Sequence, residues 1–201
     1  MNTNKQETAY GLVLYIVLMI IWNLGFYMPA LWMSQGNTAL AEPVYIAYSF
    51  TCHQLDHRSL CYYPNYSGII ASCNPQDEND FAHGDVIIPD PILGVGYKLA
   101  VCSRDVAIYG AMLAGAIIWA VLNMKNLATQ IWPDAKWLIL ATIPIALDGG
   151  TQIIGLRQST NELRVITGAI IGVAVAFYLI PAFNQIFNPI ISDVKSAILK
   201  K

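Results

Sequence analysis

Apolar positions in this chain fall in long unbroken runs, not in the alternation of a surface strand or the one-sided stripe of a soluble helix. A bilayer core takes about 20 mostly apolar residues per helix. Four runs approach that length: residues 10–33, 106–122, 137–155 and 163–186. Asn23 is the strongly polar interruption of the first. Asp148 and Gln152 interrupt the third, and Pro181 lies in the fourth. A shorter run, 44–50, cannot span and reads as an interfacial or re-entrant piece. Residues 188–201 carry Ile190, Ile191, Val194, Ala197 and Ile198 at spacings that suit an amphipathic helix on the inner surface. The expected fold is an all-α membrane protein. It is one domain over residues 1–201, a bundle of four transmembrane helices with a long extracytoplasmic loop, 34–101, after the first.

Composition agrees with membrane residence. Hydrophobic residues make up 56% of the 201 and charged residues 12%, with a net charge of -2. That is about half the charged fraction of a typical soluble domain. With no basic field, nucleic acid is excluded as a partner. Ala39-Leu40-Ala41 looks like a signal-peptidase site, yet the apolar run before it is much longer than a signal-peptide core. The first run is therefore expected to stay as an uncleaved anchor.

Basic residues favour cytoplasmic loops. With both ends inside, the inner set is Lys5, Lys125, Lys136, Lys195, Lys200 and Lys201, and the outer set Arg58, Lys98, Arg104, Arg157 and Arg164. The long loop sets Arg58 and Lys98 against Glu42, Asp56, Asp77, Glu78, Asp80, Asp85 and Asp90. Trp132 and Trp137 suit the inner interface and Trp32 the outer one. We expect N-in and C-in, in the cell membrane. Residues 62–90 are rich in turn formers and are expected to be irregular.

All four cysteines map to the outer side, where an oxidising compartment favours disulfides. Four cysteines permit three pairings. The expected bridge is Cys61–Cys73, closing a small loop. Cys52 and Cys102 flank the excursion, and either pair with each other or bind something.

Ionisable groups at membrane depth are costly and mark function or buried pairing. Asp148 and Gln152, four apart, share one helix face. Arg157 follows them. Ser159 and Glu162 have the spacing of a capping box, with Asn161 and Arg164 in the first turn after it. Arg104 and Asp105 open the second span, and His53, Gln54 and Arg58 lie beyond the short run. One interpretation gathers Asp148, Gln152, Arg104, Arg157 and Arg164 into an outer pocket, with His53, Gln54, Arg58 and Asn161 as further ligand-binding candidates. Its arginines would clamp a phosphate or carboxylate, and Asp148 is the candidate catalytic proton acceptor. The alternative has Asp148 pairing with one arginine while the others reach to the interface. Gly168 and Gly172 have the spacing of a helix-packing pair. Cys52, His53 and Cys102, with Asp105 completing the set, are candidate metal ligands. A metal ion is the one cofactor these residues suggest, and the pattern lacks a close CxxC pair.

With these residues in view, the chain resembles a family of small archaeal and bacterial membrane proteins, domain of unknown function 2085. Four blocks carry the likeness: Cys52-His53-Gln54 with Arg58-Ser59; Cys102-Ser103-Arg104 leading to Ile108-Tyr109; Asp148-Gly149-Gly150-Thr151-Gln152; and Gly155-Leu156-Arg157 with Ser159-Thr160-Asn161, Leu163-Arg164 and Thr167-Gly168. The last two are the most specific, because several polar types recur at fixed offsets. Family members often read Cys-x-Arg-Cys in the second block, where this chain has Asp105 at the last position. The excursion with Cys61 and Cys73 looks like an insertion. The resemblance implies a helical membrane fold with a polar outer site, and supplies no substrate. Three functions are compatible: a site for the polar or anionic head of a lipid or quinone, with membrane lipid as partner; an accessory subunit of a larger membrane complex; and a metal or redox protein.

Overall fold

The computed structural model describes residues 8–74 and 86–199. Lys5, Lys200 and Lys201, and the acidic group Asp77, Glu78, Asp80 and Asp85, lie outside the described residues. The elements are α1 (Tyr10–Ser34), α2 (Thr38–Ser49), a 3-10 turn (Asp56–Arg58), β1 (Ser59–Tyr63), β2 (Ile69–Ser72), β3 (Ile87–Asp90), β4 (Gly94–Cys102), α3 (Ser103–Leu122), α4 (Lys136–Ile153) and α5 (Asn161–Leu199).

Three helices, α1, α3 and α5, are long and apolar enough to cross a membrane. Their outward faces are aliphatic, with Val13, Ile21, Ile117, Val121 and Ile166 exposed. That suits lipid and not water. The all-α four-span bundle is not what forms. The helix expected over 137–155 exists as α4, but Lys136, Asp148 and Gln152 dilute its apolarity, and it is not among the three. The excursion is not irregular either. It holds an antiparallel sheet of order β2-β1-β4-β3. Four- and five-residue strands, Leu60-Cys61-Tyr62-Tyr63 against Ile69-Ile70-Ala71-Ser72, are aromatic and β-branched. Pro64, Asn65, Ser67 and Gly68 around them hide so short a signal. The run at 44–50 is part of α2, and the tail expected as a separate helix continues α5 to Leu199.

The helix register fixes the layout. Arg104 faces Gly168, Ile108 faces Gly172, and Gly115 faces Ala176, so α3 and α5 run parallel. Tyr15 meets Phe183 edge to face and donates to the Met112 carbonyl, while Asn23 donates to the Tyr109 carbonyl at 3.2 Å, so α1 runs against both. The start of α1 meets the far part of α5: the Gly11 and Leu12 amides donate to Asn188 and Asn184 at 2.8 and 3.0 Å. Those asparagines satisfy amide groups that the first turn of a helix leaves open. One end of the bundle thus holds the start of α1 and the latter part of α5. The other holds the end of α1, the starts of α3 and α5, the end of α4, and the sheet. Phe26, Tyr45, Tyr48, Leu99 and Val101 weld α1, α2 and β4 into one core there.

Close approach of α3 and α5 depends on glycine. A Cβ at Gly172 would lie 2.3 Å from the Ile108 carbonyl oxygen and 2.9 Å from Ala111 Cβ. Small residues let membrane helices pack backbone to backbone. Gly172→Leu is expected to separate the pair and lower the melting temperature in detergent by roughly 5 °C or more, as a loss of a few kcal/mol does in a domain of this size. An unchanged melting curve would refute this packing.

Candidate functional site

The sheet end of the bundle gathers the polar residues. Asp148, 2% exposed, comes from the last turns of α4. Arg104 in the first turn of α3 pairs with its Oδ2 through Nη2. Arg157 Nη2 donates to Oδ1 at 2.7 Å, and Ser159 Oγ donates to Oδ2 at 2.9 Å. Both carboxylate oxygens are therefore engaged. Arg157 also donates through Nε to Thr151 Oγ1 at 3.1 Å. The capping role expected of Ser159 falls instead to Thr160, whose Oγ1 accepts from the Leu163 amide at 3.3 Å.

One turn after Asp148, Gln152 meets a second pair of arginines. In the orientation that satisfies its neighbours, its carboxamide oxygen accepts from Arg58 Nη2 at 2.9 Å and Arg164 Nη2 at 3.1 Å. Arg164 is 3% exposed. Its Nη1 donates to Asn161 Oδ1 at 3.1 Å and to the His57 carbonyl at 3.5 Å. Asn161 Oδ1 also accepts from Ser103 Oγ at 2.8 Å, which locks the arginine's support to the start of α3. Among the described residues, neither Arg58 nor Arg164 makes an ion pair.

Arg58 is placed by a device the sequence did not reveal. Lys98, 1% exposed on β4, pairs with Asp56 at 2.5 Å and donates to the Gln54 carbonyl at 3.0 Å. This buried pair fixes the 3-10 turn that ends at Arg58. Gln54, expected as a ligand residue, is used in the same clamp. Its Nε2 donates to the Tyr45 and Ala100 carbonyls at 2.9 and 2.8 Å, and it holds a left-handed backbone (φ 52°). Such a conformation is uncommon outside glycine.

Next to Arg58 lies a cavity of about 140 Å³, lined by His53, Arg58, Cys52, Cys102 and Asp105 among others. Cys61 and Cys73 form the expected disulfide, Cα atoms 5.0 Å apart. Cys52 and Cys102 are free. Cys52 Sγ accepts from the Cys102 amide at 3.1 Å and the Gln54 amide at 3.4 Å. The Cys102 thiol donates to Asp105 Oδ2 at 3.1 Å. A hydrogen bond with Cys102 holds the Cys52 thiol below its ordinary range, helped by the two amides. The same bond, with burial and nearby negative charge, pushes Cys102 up. Of the expected metal ligands, Cys52 and Cys102 come together with Asp105, while His53 is exposed on the cavity rim. Asp148, Gln152, Arg58, Arg104, Arg157, Asn161 and Arg164 share one rim.

Comparison with known proteins adds the family. Residues 92–178 match the family model described as "Predicted membrane protein (DUF2085)". The uncharacterized protein MJ1492 of Methanocaldococcus jannaschii is 32% identical over 178 residues, covering 86% of this chain and 92% of that protein. The chain belongs to the DUF2085 family. An uncharacterized protein of Methanothermobacter thermautotrophicus is 32% identical over 81 residues, 40% of this chain and 69% of that one. No solved structure matches. The part that matches the DUF2085 model holds Cys102, Arg104, Asp105, Asp148, Gln152, Arg157, Asn161 and Arg164, whereas Cys52, Arg58 and the disulfide precede it.

Proposed function

We propose that this DUF2085 protein is an integral membrane protein that binds the oxyanion of an amphiphile's head group at the rim formed by Arg58, Arg104, Arg157 and Arg164. The observation that carries this reading is the surplus of guanidinium over carboxylate. Asp148 serves Arg104 and Arg157. Arg58 and the deeply buried Arg164 have only neutral oxygens as described partners. A buried charge without a counter-ion is costly, and an arginine at membrane depth is by default a binding or pairing site. Guanidinium donors bind phosphate or carboxylate through two parallel bonds. The cavity beside Arg58 offers room for head-group oxygens.

In this reading Asp148 is a positioning residue that orients two guanidiniums, not the proton acceptor. The head group comes from a membrane lipid, and the rim faces the outside, with both termini at the cytoplasmic face. The Lys and Arg asymmetry of the loops and the disulfide beside the rim support that orientation.

The test is thermal unfolding in detergent with added lipid. An anionic phosphatidylglycerol is expected to raise the melting temperature of the wild type, and zwitterionic phosphatidylcholine not to. An Arg58→Gln, Arg164→Gln double variant is expected to lose that difference. Inorganic phosphate tests a free anion as the source: a shift as large as that of the lipid would replace the lipid reading with a soluble oxyanion. Equal shifts with both lipids would overturn the site.

A further inference from the structure

Besides the arginine rim, the same end of the bundle holds a cluster of different chemistry. Cys52 Sγ, Cys102 Sγ and an Asp105 carboxylate oxygen all lie within 4.8 Å of one another. They come from three places in the fold: the loop after α2, the end of β4, and the first turn of α3. Cys102 and Asp105 stand three residues apart where β4 runs into α3, and the fold carries Cys52, 50 residues earlier, up to them. The two thiols sit close without being joined, whereas Cys61 and Cys73 in the same outer segment are bridged.

We infer that Cys52, Cys102 and Asp105 form a site for a thiophilic divalent cation of the zinc class, with its fourth position open to the cavity that His53 and Arg58 line. Thiolate and carboxylate are ligands that zinc accepts, and tetrahedral zinc with Zn–S bonds of about 2.3 Å sets two sulfurs about 3.8 Å apart. That lies inside the present spread. The Cys102 and Gln54 amides aimed at Cys52 Sγ are the outer donors that steady a metal-bound thiolate. On binding, each thiol that ionises releases its proton to solvent and its sulfur lone pair forms the metal bond. For Cys102 that proton is the one now held against Asp105, and Cys52 releases its own. Three protein ligands with one open position is the pattern of a zinc that binds or activates a small ligand, whereas closed four-ligand sites are structural. The open position faces a cavity edged by Arg58, so an anion or water is the occupant it suits. The metal ligands are distinct from the rim arginines, although both sites border the cavity beside Arg58, and a cobalt–thiolate band reads the metal site alone.

The experiment uses the full chain in detergent, carrying an affinity tag free of histidine, loaded with Zn²⁺ or Co²⁺ and then desalted. We expect one metal per chain by elemental analysis, and a thiolate-to-cobalt charge-transfer band in the Co²⁺ form. Cys52→Ser and Cys102→Ser are expected to abolish that band, and Asp105→Asn to keep it while binding cobalt at least tenfold more weakly. The chain has four cysteines, two of them bridged. A cobalt–thiolate band in the wild type alone therefore reports Cys52 and Cys102, even where a serine variant fails to fold. No charge-transfer band in the wild type would overturn the site. So would a second disulfide joining Cys52 to Cys102 by intact mass, or undiminished metal in both serine variants.

Discussion

Asp148→Ala is expected to cost on the order of 3 kcal/mol of stability, because it strips the shared counter-ion from two arginines in one step. Arg104 is the more buried partner and carries most of the effect. Arg157, 40% exposed at its side chain, loses less, since solvent already screens it. Ser159 loses its acceptor as well. The consequence is positional before it is global. α4 has Asp148 as its one fully buried side chain, and packs mainly on α5. Without the carboxylate, the end of α4 loses its tie to α3, and Gln152 drifts from Arg58 and Arg164. Thermal unfolding of Asp148→Ala, Arg104→Gln and the double variant checks this. The double variant should be less destabilised than the sum of the singles, since the second substitution removes the more buried of the two guanidiniums that the first leaves unpaired, and only the more exposed Arg157 remains without a counter-ion. Additive losses, or a single loss below about 1 kcal/mol, would mean that Asp148 is not the anchor.

Lys98→Met should rival it, at roughly 3–5 kcal/mol. The substitution preserves the apolar stem and deletes the charge, leaving the buried Asp56 carboxylate with no cation. The Gln54 carbonyl loses its donor as well. Both partners are nearly inaccessible, so solvent cannot compensate. Asp56 sits in the turn that ends at Arg58, so the rim suffers too: head-group binding should fall along with stability. Lys98→Met combined with Asp56→Leu should recover most of the stability, as apolar replacements of buried ion pairs do. Unfolding curves of the three variants decide. Failure of the second substitution to rescue would show that the loss does not come from an orphaned Asp56 carboxylate.

These two ion pairs also mark the limits of what the sequence makes legible. Asp148 stands out because an acid inside an apolar run is visible one residue at a time, and its grouping with Gln152 follows from helix periodicity, whereas Arg157 lies beyond the end of α4 and joins them through the turn at Gly155. Helix positions were readable for the same reason. Lys98 and Asp56 do not stand out. In a polar loop each looks like an ordinary solvated charge, and only the sheet that buries β4 makes them a pair 42 residues apart. The sheet is hidden because β1, β2 and β3 are four or five residues long between turn formers, too few positions for alternation to register, and the nine-residue β4 does not alternate, with Lys98, Leu99, Ala100 and Val101 buried in succession. The Ser159 contact was missed because a serine before a helix start is read first as a cap. Asp105 could be named as a ligand beside Cys102, but its meeting with Cys52 depends on the fold of the whole excursion.

The most direct measurement for the arginine rim is native mass spectrometry of the protein released from bilayers of mixed phosphatidylglycerol and phosphatidylcholine. The wild type should retain one anionic lipid in preference to the zwitterionic one, and the Arg58→Gln, Arg164→Gln variant should retain neither selectively. Identical lipid adducts on both proteins, or no preference on the wild type, would contradict an oxyanion site at this rim.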